Sequence, residues 1–179
     1  MRTWFTSDLH LYHKNIMQWY DHRRGYSDEN AMSEGIISTI NSVVGPRDRL
    51  YILGDIGWDT RRTLPALERI NGEKFIVPGN HDDGIVRKIR NNPIKGVTVL
   101  PQYKEISVEG QRIILCHFPI WEWNMMSNGA WHLHGHLHAR PTGIPGKIFD
   151  VSGDGNRMVP YSFEDLKSIM DTKPIRKHH

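Results

Sequence analysis

Cysteine is almost missing. Cys116 stands alone in 179 residues, which excludes an intramolecular disulfide and a cysteine-rich metal site. Long apolar runs are missing too, and no stretch approaches the roughly 18 residues that a membrane helix needs. Residues 1–7 read as a strand running into a polar motif, without the apolar run of a signal peptide. These absences predict a cytoplasmic protein with no membrane partner. Charge of one sign is scarce, since 23 Lys and Arg against 20 Asp and Glu leave a formal +3. That excess suits a small anionic substrate and does not predict stable nucleic-acid binding. No repeat, linker or low-complexity tract interrupts the chain. With 38% hydrophobic and 24% charged residues, it reads as one globular domain over 1–179, with no sign of an oligomeric state.

Histidine is what the chain has in excess, 11 in all. The terminal pair, His178 and His179, is left out of the chemistry. The positions of the others follow from the order of elements. Residues 3–6 form a short strand candidate, and 14–20 a short helix. Met32, Ile36, Ile37, Ile40 and Val43 recur at helical spacing across 28–44, and Gly45-Pro46 ends the run. Strands are expected at 49–53 and 75–77, separated by a helix over 59–70, and a further helix over 82–90. A helix between two strands makes a parallel, right-handed crossover. The second half reads as mostly β and more antiparallel, with strands at 97–100, 103–108, 112–116, 131–134, 147–151 and 157–160. Ser162 then caps a helix over 163–170.

Polar clusters follow three first-half strands directly: Asp8-Leu9-His10, Gly54-Asp55 and Gly79-Asn80-His81-Asp82. In a parallel sheet all three lie beyond the carboxyl ends of strands, the edge where open α/β sheets bind ligands. Two later clusters, Cys116-His117 and His134-Gly135-His136-Leu137-His138, also follow strands. The donors are oxygen and imidazole nitrogen without thiolate, a set suited to Mn²⁺, Fe, Zn²⁺ or Ni²⁺. They are too many for one four-coordinate ion, and two ions sharing a carboxylate account for them. Taken singly, each cluster is also readable as a helix cap or a polar turn.

In this order the motifs resemble the calcineurin-like metallophosphoesterases, in particular the small stand-alone bacterial, archaeal or phage type. The resemblance rests on Asp8-x-His10, Gly54-Asp55, Gly79-Asn80-His81-Asp82, His117 and Gly135-His136-x-His138, spanning 8–138. It implies an α/β fold, a metallophosphatase-type α/β/β/α sandwich of two mixed β-sheets flanked by helices. It implies that Asp8, His10, Asp55 and His138 hold one divalent ion and that Asp55, Asn80, His117 and His136 hold a second, with Asp55 bridging. Manganese is the first expectation, with iron, zinc or nickel as alternatives. His81 would sit by the leaving group, oriented by Asp82. Many members read Gly-Asp-x-x-Asp, whereas here Trp58 takes the last position and Asp59 follows. The Asp-Arg-Gly and Asn-His-Glu signatures of the protein Ser/Thr phosphatases are missing.

Two divalent ions, two aspartates and a bridging hydroxide leave about +1 around the centre, which favours a phosphoryl group. The expected reaction is attack of that hydroxide on a phosphodiester, preferred over a monoester because no extra arginine clamp is evident. His81 supplies the proton at the leaving oxygen. The rival readings are a phosphomonoesterase, a non-catalytic metal-binding scaffold, and a protein held by one structural zinc. The partner is a small phosphoester, with a nucleotide-like one in view. His13 is a candidate substrate contact, set against a plain surface histidine. His132 and His134 read as packing or supporting residues. Trp121, Trp123 and Trp131 read as packing first and as a base-stacking wall second. Arg87, Lys88 and Arg90, and likewise Arg23 and Arg24, read as solvated faces.

Overall fold

The computed structural model describes residues 1–177, so His178 and His179 lie outside the described residues. Two sheets face each other. In the first, β1 (Thr3–Thr6), β2 (Arg49–Ile52), β3 (Glu73–Ile76) and β4 (Val97–Val99) run parallel in the order β4-β3-β2-β1, and β9 (Tyr161–Ser162) closes the edge antiparallel to β1. In the second, the order is β5 (Tyr103–Val108), β6 (Gln111–Cys116), β7 (Trp131–His134) and β8 (Ile148–Asp150). The helices are α1 (Asp21–Arg24), α2 (Glu29–Val43), α3 (Thr60–Arg69), α4 (Asp83–Asn91) and α5 (Phe163–Asp171).

The period-2 alternation of strands assigns the cores. Trp4, Leu50, Ile52 and Ile76 turn outward to meet α2, α3 and α4 through residues such as Ile36, Ile40, Leu67 and Ile89. Their neighbours Phe5, Tyr51, Leu53 and Val77 turn inward against Ile113, Leu115 and Leu133 of the second sheet. Helix α5 adds Phe163, Leu166 and Met170 to this inner core. On the far side, Ile114 and Ile148 are covered by Trp123, Met126 and Ala130. The result is the α/β/β/α sandwich of two mixed sheets that the motifs imply, with a thin outer layer over the second sheet.

Two expectations are corrected. Only β5 and β6 pair antiparallel in the second sheet, while β6–β7 and β7–β8 are parallel. Long connections over 117–130 and 135–147 carry the chain back each time, so His117, His136 and His138 emerge at strand carboxyl ends. The expected strand over 157–160 does not form. Arg157 and Met158 have φ of 49° and 66°, a left-handed backbone incompatible with extension. A 3-10 turn, Gly153–Asn156, precedes them, and the strand starts at Tyr161. Asp28 and Asp59 cap α2 and α3, and Ser162 and Asp165 form a capping box on α5.

Candidate metal centre

The first sheet delivers Asp8 and His10 after β1, Asp55 after β2 and Asn80 after β3. The second delivers His117 after β6 and His136 and His138 after β7. Five of these seven, Asp8, His10, Asp55, His136 and His138, have φ between 48° and 70°. A non-glycine residue is disfavoured there by about 1–2 kcal/mol, and such strain clusters at functional sites. Close approach also needs glycine. A Cβ on Gly54, itself at φ +85°, would lie 2.5 Å from His117 Nδ1, and one on Gly135 would strike Ser7 Oγ and Asp8 Oδ2.

Two triads result, Asp8 with His10 and His138, and Asp55 with His117 and His136. Within each, one donor atom per residue lies within 4.8 Å of the others. Asp55 Oδ2 is 3.7 Å from His10 Nε2 and 3.6 Å from His117 Nε2, so one carboxylate oxygen stands between the triads. Hydrogen bonds set the ring tautomers. His117 Nδ1 donates to the Leu53 carbonyl at 2.7 Å, and His138 Nδ1 donates to Asp154 Oδ2 at 2.6 Å. In the neutral rings each Nε2 is then a lone pair. His117 Nε2 lies 3.0 Å from Asn80 Oδ1, and His138 Nε2 lies 3.7 Å from Asp8 Oδ1. His10 Nε2 is buried without a hydrogen-bond partner. Converging lone pairs with no proton between them are what a cation satisfies. The donor set, all carboxylate, amide oxygen and imidazole, fits two hard-to-borderline divalent ions.

The electrostatics agree at Asp8 and His10, whereas at His138 burial is outweighed by the Asp154 hydrogen bond and the Asp8 charge, which raise it. Burial raises the Asp8 carboxyl to about 6, against the pull of His138 and the Ser7 hydroxyl. A carboxylate buried this way calls for a cation beside it. Burial and the Arg23 charge hold His10 well below its usual value, in the neutral form a ligand requires.

Asp154 is a residue the motifs do not indicate. It accepts from His138 Nδ1 and takes a two-point contact from Arg23, whose Nε and Nη2 donate at 2.7 and 3.0 Å. His22 Nε2 lies 2.8 Å from Oδ1, the oxygen that Arg23 Nε also meets. Burial works against the Asp154 charge, but the bonds from His138 and Arg23 prevail and hold its carboxyl far below the usual range. Arg23, expected on a solvated face, is fully buried. Its remaining N–H groups donate to the Leu9 and Asp8 carbonyls at 3.0 and 2.7 Å. The physical reason is a partner 131 residues away that no local pattern reveals.

Asp82 also differs from expectation. Its Oδ2 accepts from the Asp55 and Gly79 amides at 2.8 Å each, and its Oδ1 from Ile56 at 2.9 Å. Both oxygens are thus spent tying two ligand loops together, rather than on the His81 ring. His81 is exposed at the cleft, its amide donating to Asp55 Oδ1 at 3.1 Å. His132 and His134 are fully buried. His132 is a latch, with Nδ1 toward the Ile114 carbonyl and Nε2 accepting from the Ile120 amide.

The triads open into a cleft of about 590 Å³. His13 is buried behind Trp58, the rings stacked at 4.2 Å and 6°. Trp123 and Trp131 pack in the cores as read, and Trp121 lies out at the surface under Arg176 at 4.5 Å. Arg87, Lys88 and Arg90 are exposed on α4, as expected of a solvated face. No described helix is long and apolar enough to cross a membrane.

A family model described as calcineurin-like phosphoesterase matches residues 1–140. Protein MJ1445 of Methanocaldococcus jannaschii is 28% identical over 141 residues, 77% of this chain and 70% of that one. The Gene 66 protein of Mycobacterium phage L5 is 27% identical over 165 residues, 76% of this chain and 77% of that one. Among solved structures, AQ665 from Aquifex aeolicus superposes with a TM-score of 0.72 at 22% identity, covering 94% of this chain and 98% of that one. Yfce, a phosphoesterase from E. coli, gives 0.52 at 17% identity over 85% of this chain and 78% of that one.

Proposed function

Since the chain belongs to the calcineurin-like phosphoesterase family, a hydrolase of phosphoric esters, we propose that it cleaves small phosphodiesters in preference to monoesters. The observation carrying this reading is the pair of adjacent triads with Asp55 Oδ2 standing between them. Asp8, His10, Asp55 and His138 would hold one divalent ion, and Asp55, Asn80, His117 and His136 the other. Manganese is the first choice from the donor set, with iron, zinc and nickel next. When bound, the ions supply Lewis-acid activation of water and neutralise charge on the phosphoryl group.

The chain's own residues do the rest. His138 and His117 present Nε2 because Asp154 and the Leu53 carbonyl occupy the opposite nitrogens. Asp82 fixes the relative position of the Asp55 and Asn80 loops, and so positions His81 through the backbone. His81, exposed at the mouth, gives a proton to the leaving oxygen. The diester preference is supported by what the arginines do. Arg23 is consumed by Asp154 and two carbonyls, and Arg140 at the cleft spends its Nε on the Leu137 carbonyl. Arg23 is therefore unavailable as a bidentate clamp for a terminal dianionic phosphate, and Arg140 retains only its Nη groups.

The test pairs bis(p-nitrophenyl) phosphate with p-nitrophenyl phosphate on protein loaded with Mn²⁺, alongside metal analysis. Two ions per chain and a higher kcat/KM for the diester are expected. A strong monoester preference overturns the substrate choice, and one ion with no hydrolysis overturns the mechanism.

A further inference from the structure

Two tryptophans stand in water at the mouth of the cleft. Trp58 is 55% and Trp19 61% exposed, although indoles rank among the side chains that gain most from burial. Exposed apolar surface of this kind, set beside polar groups in a groove, marks a ligand site. Neither ring is loosely placed. The Trp58 amide donates to the Leu11 carbonyl at 2.9 Å, and one indole face is backed by His13 in near-parallel stacking. Asp59 takes over the capping of α3, so nothing in the helix start requires Trp58 to face inward. Trp19 meets the edge of the same His13 ring at 6.1 Å and 84°. The wall lies on the His81 side of the cleft, with the Trp58 and His81 centroids 5.4 Å apart. Asn15 lines the same cleft and brings an amide that both donates and accepts.

We infer that Trp58, backed by His13 and flanked by Trp19, seats a planar ring carried by the leaving alcohol, so that the substrates are phosphodiesters whose leaving group is a nucleoside. The inference rests on the phosphodiesterase reading and adds to it which side of phosphorus the ring occupies. Every base has a π face to stack, and Asn15 offers polar contact to a base edge that a plain hydrocarbon ring does not use. In the hydrolysis, the water oxygen bonds to phosphorus and the P–O bond to the nucleoside breaks with its electron pair on the alcohol oxygen. His81 gives that oxygen its proton, and the attacking water releases one in exchange.

The experiment compares two methyl phosphodiesters, one of the adenosine 5′-hydroxyl and one of the 5′-hydroxyl of 1,4-anhydroribitol, which keeps the furanose but has no π face. The adenosine compound should yield adenosine and methyl phosphate at the higher kcat/KM. Trp58→Ala should lower its kcat/KM by about 5- to 150-fold, the span of one base stack, and bring the ratio between the two substrates toward one. Release of methanol and adenosine monophosphate, or an unchanged ratio in both Trp58→Ala and Trp19→Ala, overturns the inference. A binding arm keeps it separable from the phosphodiesterase reading: calorimetry of adenosine alone with metal-free protein. Weakening by Trp58→Ala supports the wall even if no diester is hydrolysed, and equal binding by wild type and variant refutes it even if hydrolysis is intact.

Discussion

Replacing Asp154 with Asn separates two jobs that one carboxylate performs. Asp154 answers the buried Arg23 guanidinium and holds His138 by Nδ1. Arg23 is fully buried and the Asp154 side chain is 1% exposed, so solvent offers little screening. Removing one partner of a buried pair costs about 3–5 kcal/mol. Asn keeps one acceptor oxygen, and Arg23 keeps the Leu9 and Asp8 carbonyls, so the lower figure applies, about 3 kcal/mol. At a urea dependence of about 2 kcal/mol/M, the midpoint falls by roughly 1.5 M. The second job shows in metal affinity, where loss of a group orienting a histidine ligand costs about 10- to 100-fold. Equilibrium unfolding with a chelator present reads the first effect, and competitive metal titration the second. Arg23→Met added to Asp154→Asn should recover part of the stability, because the unpaired charge is gone, but none of the metal affinity. A stability change under about 1 kcal/mol together with unaltered affinity at both sites would refute the account.

His132 predicts a pH dependence. Burial pushes it down to about 3 from an ordinary 6.5, so below pH 6.5 the unfolded chain takes up a proton that the folded one refuses. Stability therefore falls as pH drops from 6.5 toward 3, by about 2 kcal/mol by pH 5, and that part of the fall should vanish in His132→Gln when urea midpoints are compared. Gly135→Ala places a methyl on Ser7 Oγ and Asp8 Oδ2, and metal analysis should find the Asp8 ion lost. His81→Ala should retain both ions in the same analysis and lose most turnover on unactivated diesters, while full activity there would remove the proton-donor assignment. Chelation should lower the melting temperature, since each ion binds the folded chain alone.

The fold and the gathering of the candidate ligands are legible for one reason: parallel strands place whatever follows them at one edge. Asp8, Asp55 and Asn80 could be gathered from strand order alone, and His117, His136 and His138 joined them because β6–β7 and β7–β8 are parallel as well. Asp154 obeys the same rule. It sits in Gly153-Asp154 just beyond β8, repeating the Gly54-Asp55 pattern, but with no histidine beside it in sequence it forms no metal-ligand motif. Arg23 was illegible in principle, because its burial depends on a partner 131 residues away and on the four-residue helix α1, too short to show a period. Trp123 and Trp131, between His117 and His136, pack in the cores as their first reading has it, whereas the exposed indoles at the cleft are Trp58 and Trp19, because loops after β1 and β2 are neighbours in space.

Each triad borrows from both halves of the sandwich: Asp8 and His10 come from the first sheet and His138 from the second, whereas Asp55 comes from the first and His117 and His136 from the second. An ion held by either triad would thus be a rivet through the seam. If one sheet slips over the other by a fraction of an ångström, both triads distort together, so trimming an inner-core side chain away from the site such as Ile113 or Leu166 should weaken the binding of both ions as a unit.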